Sequence, residues 1–346
     1  MLRVGLLGFG LAGRTFHAPL IRAAGLKLAA VVTSQSEAVH AIAVDADVLA
    51  SDRELLERKD IDVVVVATPN LLHAAQAEAA LRAGKHVVVD KPLSVTAREA
   101  TDLARLARER SLMLAVFQNR RWDSDFLTLR KLIESGGLGD LHTFRARWDR
   151  FRPAVADRWK ERAGQGNGML YDLGSHLVDQ ALHLFGRPDW IEADVLMQRP
   201  GAVIDDAFEI VMGKGALRIS LAASSVAAAG DWRYVLHGSR ASFFKPGIDP
   251  QEDQLRDGID PLAPQFGIEP EGQWGKVVDG ASGKGTALAS QRGRWPAFYE
   301  GVRRSIETGA PAPITADEAA ITIEILEAAL RSSAEHRRID LSAARA

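Results

Sequence analysis

The chain of 346 residues contains no cysteine. That absence excludes disulfides, thiolate nucleophiles and thiolate metal sites together. Apolar runs long enough to span a membrane are also missing, and no basic segment with an apolar core and a cleavage site precedes the first strand. The expectation is a cytoplasmic protein with no membrane partner. Charge of one sign is lacking too: 43 Lys+Arg stand against 45 Asp+Glu, a formal net charge of −2. Such a balance leaves no electrostatic footprint for nucleic acid, and Arg120-Arg121 and Arg303-Arg304 read as solvated or ligand-facing pairs. No set of His, Asp and Glu has the spacing of a metal site.

The length exceeds one ordinary core and predicts two domains. Up to residue 120, β-branched apolar runs at 2–7, 27–33, 62–68, 86–90 and 112–117 read as strands buried on both faces. Helical spacing fills 12–24, 70–83 and 96–110, with Gly25 and Gly84 placed to stop two of these helices. Alternation of this kind implies right-handed βαβ crossovers. Residues 1–120 are therefore read as a Rossmann domain with a doubly wound parallel sheet. The remainder, 121–346, is read as an α+β domain for substrate and oligomerisation, its C-terminal helices free to pack back on the first.

Gly8-Phe-Gly10-Leu11-Ala12-Gly13 follows a strand and opens a helix, the context a dinucleotide loop requires. Gly8 permits the turn, Gly10 lets the backbone approach a pyrophosphate, and Gly13 lets helix and strand pack closely. The helix start then offers N–H groups and a positive dipole end to phosphates. At the second strand end, an NAD site usually carries a carboxylate for the ribose hydroxyl. Here the chain reads Thr33-Ser34-Gln35-Ser36, with none before Glu37. This favours NADP while leaving NAD possible, and Arg14 is the nearest cation in sequence for a 2′-phosphate. Thr68-Pro69-Asn70, with His73 behind it, and Asp90-Lys91-Pro92 end two further strands where ribose and nicotinamide would pass. An amine at such a place is costly to bury without a task.

Beyond residue 121, β-rich runs at 141–149, 190–198, 207–212, 216–222, 232–237 and 241–244 predict one open, largely antiparallel sheet. One face would cover the substrate, and the other would meet a second copy in a homodimer or higher homo-oligomer. Residues 246–293, rich in Gly, Pro and charge, read as a long loop. Helices are expected at 296–307 and 315–336, the second opened by the capping box Thr315-Ala-Asp-Glu318. Tyr171-Asp172-Leu-Gly-Ser-His176 starts another helix, with Asp172 and His176 four apart on one face. A histidine is the natural proton acceptor for an alcohol, and a neighbouring carboxylate orients it.

These motifs resemble the Gfo/Idh/MocA (glucose–fructose oxidoreductase/inositol dehydrogenase) family over essentially the whole chain, Asp90 standing where the family has glutamate. Within it, the strings Asn119-Arg120-Arg121-Trp122-Asp123, Arg150-Phe-Arg152-Pro153, Tyr171–His176 and Gly247–Asp253 are most similar to NADP-dependent scyllo-inositol dehydrogenases. The resemblance implies hydride transfer between NADP(H) and a secondary alcohol or ketone of a cyclic polyol or sugar. It implies Lys91, Asp172 and His176 as catalytic residues, with Asn119, Arg120, Arg152 and Tyr171 as further substrate contacts. Asn119 and Pro92 would also border the cofactor. Two alternatives stay open: a redox-cycling glycosidase or lyase on the same fold, and a cofactor-sensing regulator without turnover.

Overall fold

The computed structural model describes residues 1–157 and 161–342. They form two compact units, each discontinuous in sequence. One unit takes Met1–Trp122, Pro250–Gly267 and Gly293–Ala320; the other takes Asp123–Asp249, Ile268–Arg292 and Ile321–Ala346. The chain is thus more interleaved than one boundary near residue 120. Packing supplies the reason, since Trp295, Phe298, Tyr299 and Val302 share one apolar cluster with Leu20, Ile21 and Phe117.

In the first unit, β1 (Arg3–Leu7), β2 (Lys27–Val32), β3 (Asp47–Leu49), β4 (Val63–Val66), β5 (His86–Asp90) and β6 (Leu114–Phe117) form a parallel sheet of order β3-β2-β1-β4-β5-β6. Val63 to Val66 and Val87 to Val89 are wholly buried, as their unbroken apolar runs require. The short edge strand β3 and the helices Ser36–His40 and Asp52–Glu57 escape the sequence patterns, being too short to show periodicity. The expected helix at 12–24 divides into a π-helical segment Ala12–His17 and an α-helix Ala18–Ala23. Pro19 cannot donate to the carbonyl four residues back, and the turn before it is wound differently. Helix Ala97–Glu109 begins with a capping box between Thr96 and Glu99.

In the second unit, β7 (Leu141–Arg147), β8 (Trp190–Leu196), β9 (Ala207–Lys214), β10 (Leu217–Ser224), β11 (Tyr234–Gly238), β12 (Ala241–Lys245), β13 (Gly275–Asp279), β14 (Gly285–Leu288) and β15 (Ile339–Asp340) form one sheet. The order is β14-β13-β12-β11-β7-β10-β9-β8-β15, antiparallel throughout except for the parallel pair β7 and β10. One face packs Phe144, Phe208, Ile210, Ile219 and Leu221 with Phe126, Leu129, Leu177 and Val178 of helices Ser124–Glu134 and Ser175–Phe185.

Residues 246–293 are not a long loop. They contain helix Gln251–Arg256 and the hairpin β13–β14, which extends the sheet from β12. Gly275 and Gly285 hide the strand pattern, and Gly275 is required because a Cβ there would lie 2.3 Å from the Phe243 ring. Among the described residues, no helix is long and apolar enough to cross a membrane.

Candidate active site

The glycine loop distributes its three roles as the motif demands. Gly8 adopts φ +91°, and a Cβ there would meet the Ala67 carbonyl oxygen at 2.7 Å. At Gly13 a Cβ would lie 2.3 Å from the Gly8 carbonyl oxygen, so helix and strand approach as only glycine allows. Gly10 has nothing within 4 Å of its Cβ position and is exposed, which leaves the space a pyrophosphate needs. Leu11 and Ala12 lead into the helical turn, whose first bond runs from Arg14 N–H to the Gly10 carbonyl at 2.9 Å. Arg14 is exposed on that turn. The loop fits a dinucleotide.

At the end of β2 the turn is built from neutral groups. Thr33 Oγ1 accepts the Gln35 N–H at 3.2 Å, and Gln35 Nε2 donates to the Phe9 carbonyl at 3.5 Å. Ser34 stands between them, exposed, and Glu37 is exposed on the short helix beyond. At the end of β4, Thr68 donates to Gln76 Oε1 at 2.5 Å, while Pro69 precedes helix Asn70–Arg82. His73 is buried, with Nε2 at 2.8 Å from the Thr68 carbonyl and Nδ1 at 2.7 Å from the Pro92 carbonyl. Its ring therefore ties the turn after β4 to the turn after β5, and both nitrogens are committed to backbone.

Lys91 is half-buried at the end of β5, and its N–H donates to Asp90 Oδ1 at 2.8 Å. The Lys91–Pro92 bond is cis. Asn119 is buried in the short turn Asn119–Trp122 after β6. Arg120 is buried too, but its guanidinium pairs with Glu252 and lies 4.9 Å from the Trp295 ring centre. The ion pair and the indole face hold the guanidinium within the first unit. Glu252 lies far along the chain, and spacing alone carries no sign of that partnership.

In the second unit, Asp172 lies in a π-helical turn Leu170–Gly174, and His176 follows in helix Ser175–Phe185. Arg150 Nη1 is 3.9 Å from Asp172 Oδ2, an ion pair in a partly open setting. Arg150, Arg152, Met169, Asp172, Asp205 and Ser225 are among the residues that line one cavity of this unit. Arg152 is exposed at it and Tyr171 is buried beside it in sequence. His176 is 6 % exposed, its ring 5.9 Å from that of Trp148. Arg150 and Arg233 both stand over the Trp148 ring, at 5.5 and 4.8 Å.

Asp205 is a residue the motifs do not reveal. Its Oδ2 accepts the Leu170 N–H at 2.7 Å, at the start of the turn that carries Asp172. Burial pushes its carboxyl up to about 6, against the lowering effect of backbone N–H bonds.

Residues 2–118 match an oxidoreductase family described as an NAD-binding Rossmann fold, and residues 130–341 match that family's C-terminal alpha/beta domain. The chain belongs to the Gfo/Idh/MocA oxidoreductase family. A member from Bacillus subtilis (strain 168), scyllo-inositol 2-dehydrogenase (NADP(+)) IolW, is 41% identical over 343 residues, covering 98% of this chain and 96% of its own. The uncharacterised oxidoreductase YdgJ of Escherichia coli (strain K12) is 41% identical over 337 residues, 97% of each chain. The solved structure of the oxidoreductase yvaA from Bacillus subtilis superposes with a TM-score of 0.96 at 41% identity, covering 98% of each chain. In this oxidoreductase the glycine loop lies within the residues that match the NAD-binding Rossmann fold.

Proposed function

We propose that this oxidoreductase is an NADP-dependent dehydrogenase of a cyclic polyol or sugar, with scyllo-inositol and its ketone as first choice. One observation carries the reading: end-to-end similarity, 41% over 343 residues, to an enzyme named for that substrate and cofactor. The neutral turn Thr33-Ser34-Gln35 supports NADP, because no carboxylate there repels a 2′-phosphate. Bound NADP+ supplies the hydride acceptor.

His176 takes the hydroxyl proton as hydride leaves the same carbon, and returns it in the reductive direction. Lys91 holds the reacting oxygen and stabilises its developing negative charge. Asp172, held by Arg150, binds a neighbouring hydroxyl and orients His176. Arg152 and Asn119 supply further polar contacts. The enzyme works in the cytoplasm as a homodimer or higher homo-oligomer, the sheet face bearing exposed Glu209 and Val211 meeting a second copy.

The test is an assay of scyllo-inositol, myo-inositol, inososes and keto-sugars with NADP(H) and NAD(H). Turnover of a cyclic polyol or its ketone with NADP(H) is expected. Absence of turnover on the whole panel, in protein that binds NADPH, removes the reading.

A further inference from the structure

One buried histidine has no part in the mechanism above. His17 closes the π-helical segment after the glycine loop and is 0 % exposed. Its Nδ1 is 2.6 Å from the Tyr299 hydroxyl, and its ring lies 4.3 Å from that of Phe117. Its Nε2 faces Asp90 Oδ2 at 3.9 Å, too long for a hydrogen bond but close for charges in a buried setting. The other oxygen of Asp90 accepts the N–H of Lys91. Tyr299, His17, Asp90 and Lys91 thus stand in one polar row, drawn from two separate segments of the first unit.

We propose that His17 and Tyr299 are positioning residues for Lys91: they hold the Asp90 carboxylate in place and ionised, and Asp90 fixes the Lys91 peptide. The inference rests on the reading of Lys91 as the group that holds the reacting oxygen. Its physical basis is the cost of a carboxylate at a partly buried strand end. Burial, the largest single influence, raises the Asp90 carboxyl, and His17, His73 and Lys91 together outweigh it, so the net direction is downward. Burial, with the Asp90 charge beside it, pushes the Tyr299 hydroxyl well above its ordinary value. Tyr299 therefore stays neutral and holds the His17 ring through Nδ1, with Nε2 turned toward Asp90. The groups facing Asp90 are His17 and Tyr299 from two helical segments, His73 from a third, and Lys91 next in the chain.

Removing His17 lets Asp90 take up a proton at higher pH. A neutral carboxyl then no longer anchors Lys91 N–H as an anion does. The experiment compares wild type with His17→Phe, His17→Gln and Tyr299→Phe in the reductive direction, where His176 as acid governs the alkaline limb. His17→Phe should lower kcat roughly tenfold with little change in NADPH affinity. It should also move the acid limb of the kcat–pH profile up by about half a pH unit or more. His17→Gln, which keeps an N–H toward Asp90, should restore the limb, and Tyr299→Phe should move it in the same direction by less. In parallel, carboxyl 13C titration of Asp90, assigned with Asp90→Asn, reads the carboxylate without turnover. Should His17→Phe fail to fold, Tyr299→Phe decides both readouts. An Asp90 titration and acid limb unmoved in the folded variants overturn the inference. Normal turnover by Lys91→Ala overturns instead the role of Lys91, while the Asp90 titration still answers for His17.

Discussion

The carboxylate of Asp205 accepts the backbone N–H of Leu170 at 2.7 Å, and so anchors the turn in which Asp172 stands. Burial lifts its carboxyl from 3.8 to about 6. Between those values the folded protein binds more protons than the unfolded chain. Its contribution to stability is therefore complete below pH 3.8 and lost as pH rises through about 6. The loss is on the order of 2–3 kcal/mol. Asp205→Asn keeps an acceptor for Leu170 and does not ionise. Urea melts should show the variant gaining on wild type from pH 4.5 to pH 8, and a pH-independent difference contradicts the assignment.

Gly10 and Gly13 should respond differently to alanine. At Gly10 a methyl meets no protein atom within 4 Å, so unfolding free energy should stay within about 0.5 kcal/mol of wild type. NADPH affinity should nevertheless fall at least roughly tenfold, because the methyl enters the space reserved for the pyrophosphate. Gly13→Ala sets a Cβ 2.3 Å from the Gly8 carbonyl oxygen and should lose stability as well as binding. Fluorescence titration and thermal melts separate the two effects. Wild-type NADPH affinity in Gly10→Ala would place the pyrophosphate elsewhere.

Ser34→Asp introduces a carboxylate into the neutral turn after β2. It should shift preference toward NADH by at least about tenfold, since it repels a 2′-phosphate and offers an acceptor to a ribose hydroxyl. The measurement is kcat/KM with both cofactors for both proteins. Higher wild-type efficiency with NADH than with NADPH sinks the NADP assignment.

Lys91→Ala and His176→Ala should each lower kcat by roughly a hundredfold or more, as loss of a charge-stabilising or acid–base group does. NADPH affinity should change little, because the glycine loop lies on other elements. Folded variants that bind NADPH and turn over at near wild-type rate leave the proposed chemistry without its central residues.

Much of the site is legible in one dimension because its parts are local. A glycine loop needs a strand, three glycines and a helix start, all within a short stretch that the Val- and Leu-rich runs locate. Lys91 is visible for the same reason, ending an unbroken apolar strand. Arg120 shows the limit: its partners Glu252 and Trp295 are distant in sequence, and no local motif announces them. The hairpin β13–β14 was hidden similarly, since its pairing comes from β12 and its glycines fit around Phe243 and the neighbouring strand.

Sequence by itself determined the alternation of buried strands and helices, the dinucleotide loop and the family, because each rests on short-range periodicity or contiguous motifs. Only the tertiary structure decided that segments 250–267 and 293–320 belong with the first unit, that β7 and β10 pair in parallel, and that His17, Tyr299 and Asp90 meet beside Lys91. The physical reason is common to all three. Burial of apolar surface and satisfaction of buried polar groups depend on which distant segments come together, and a linear pattern does not specify that pairing.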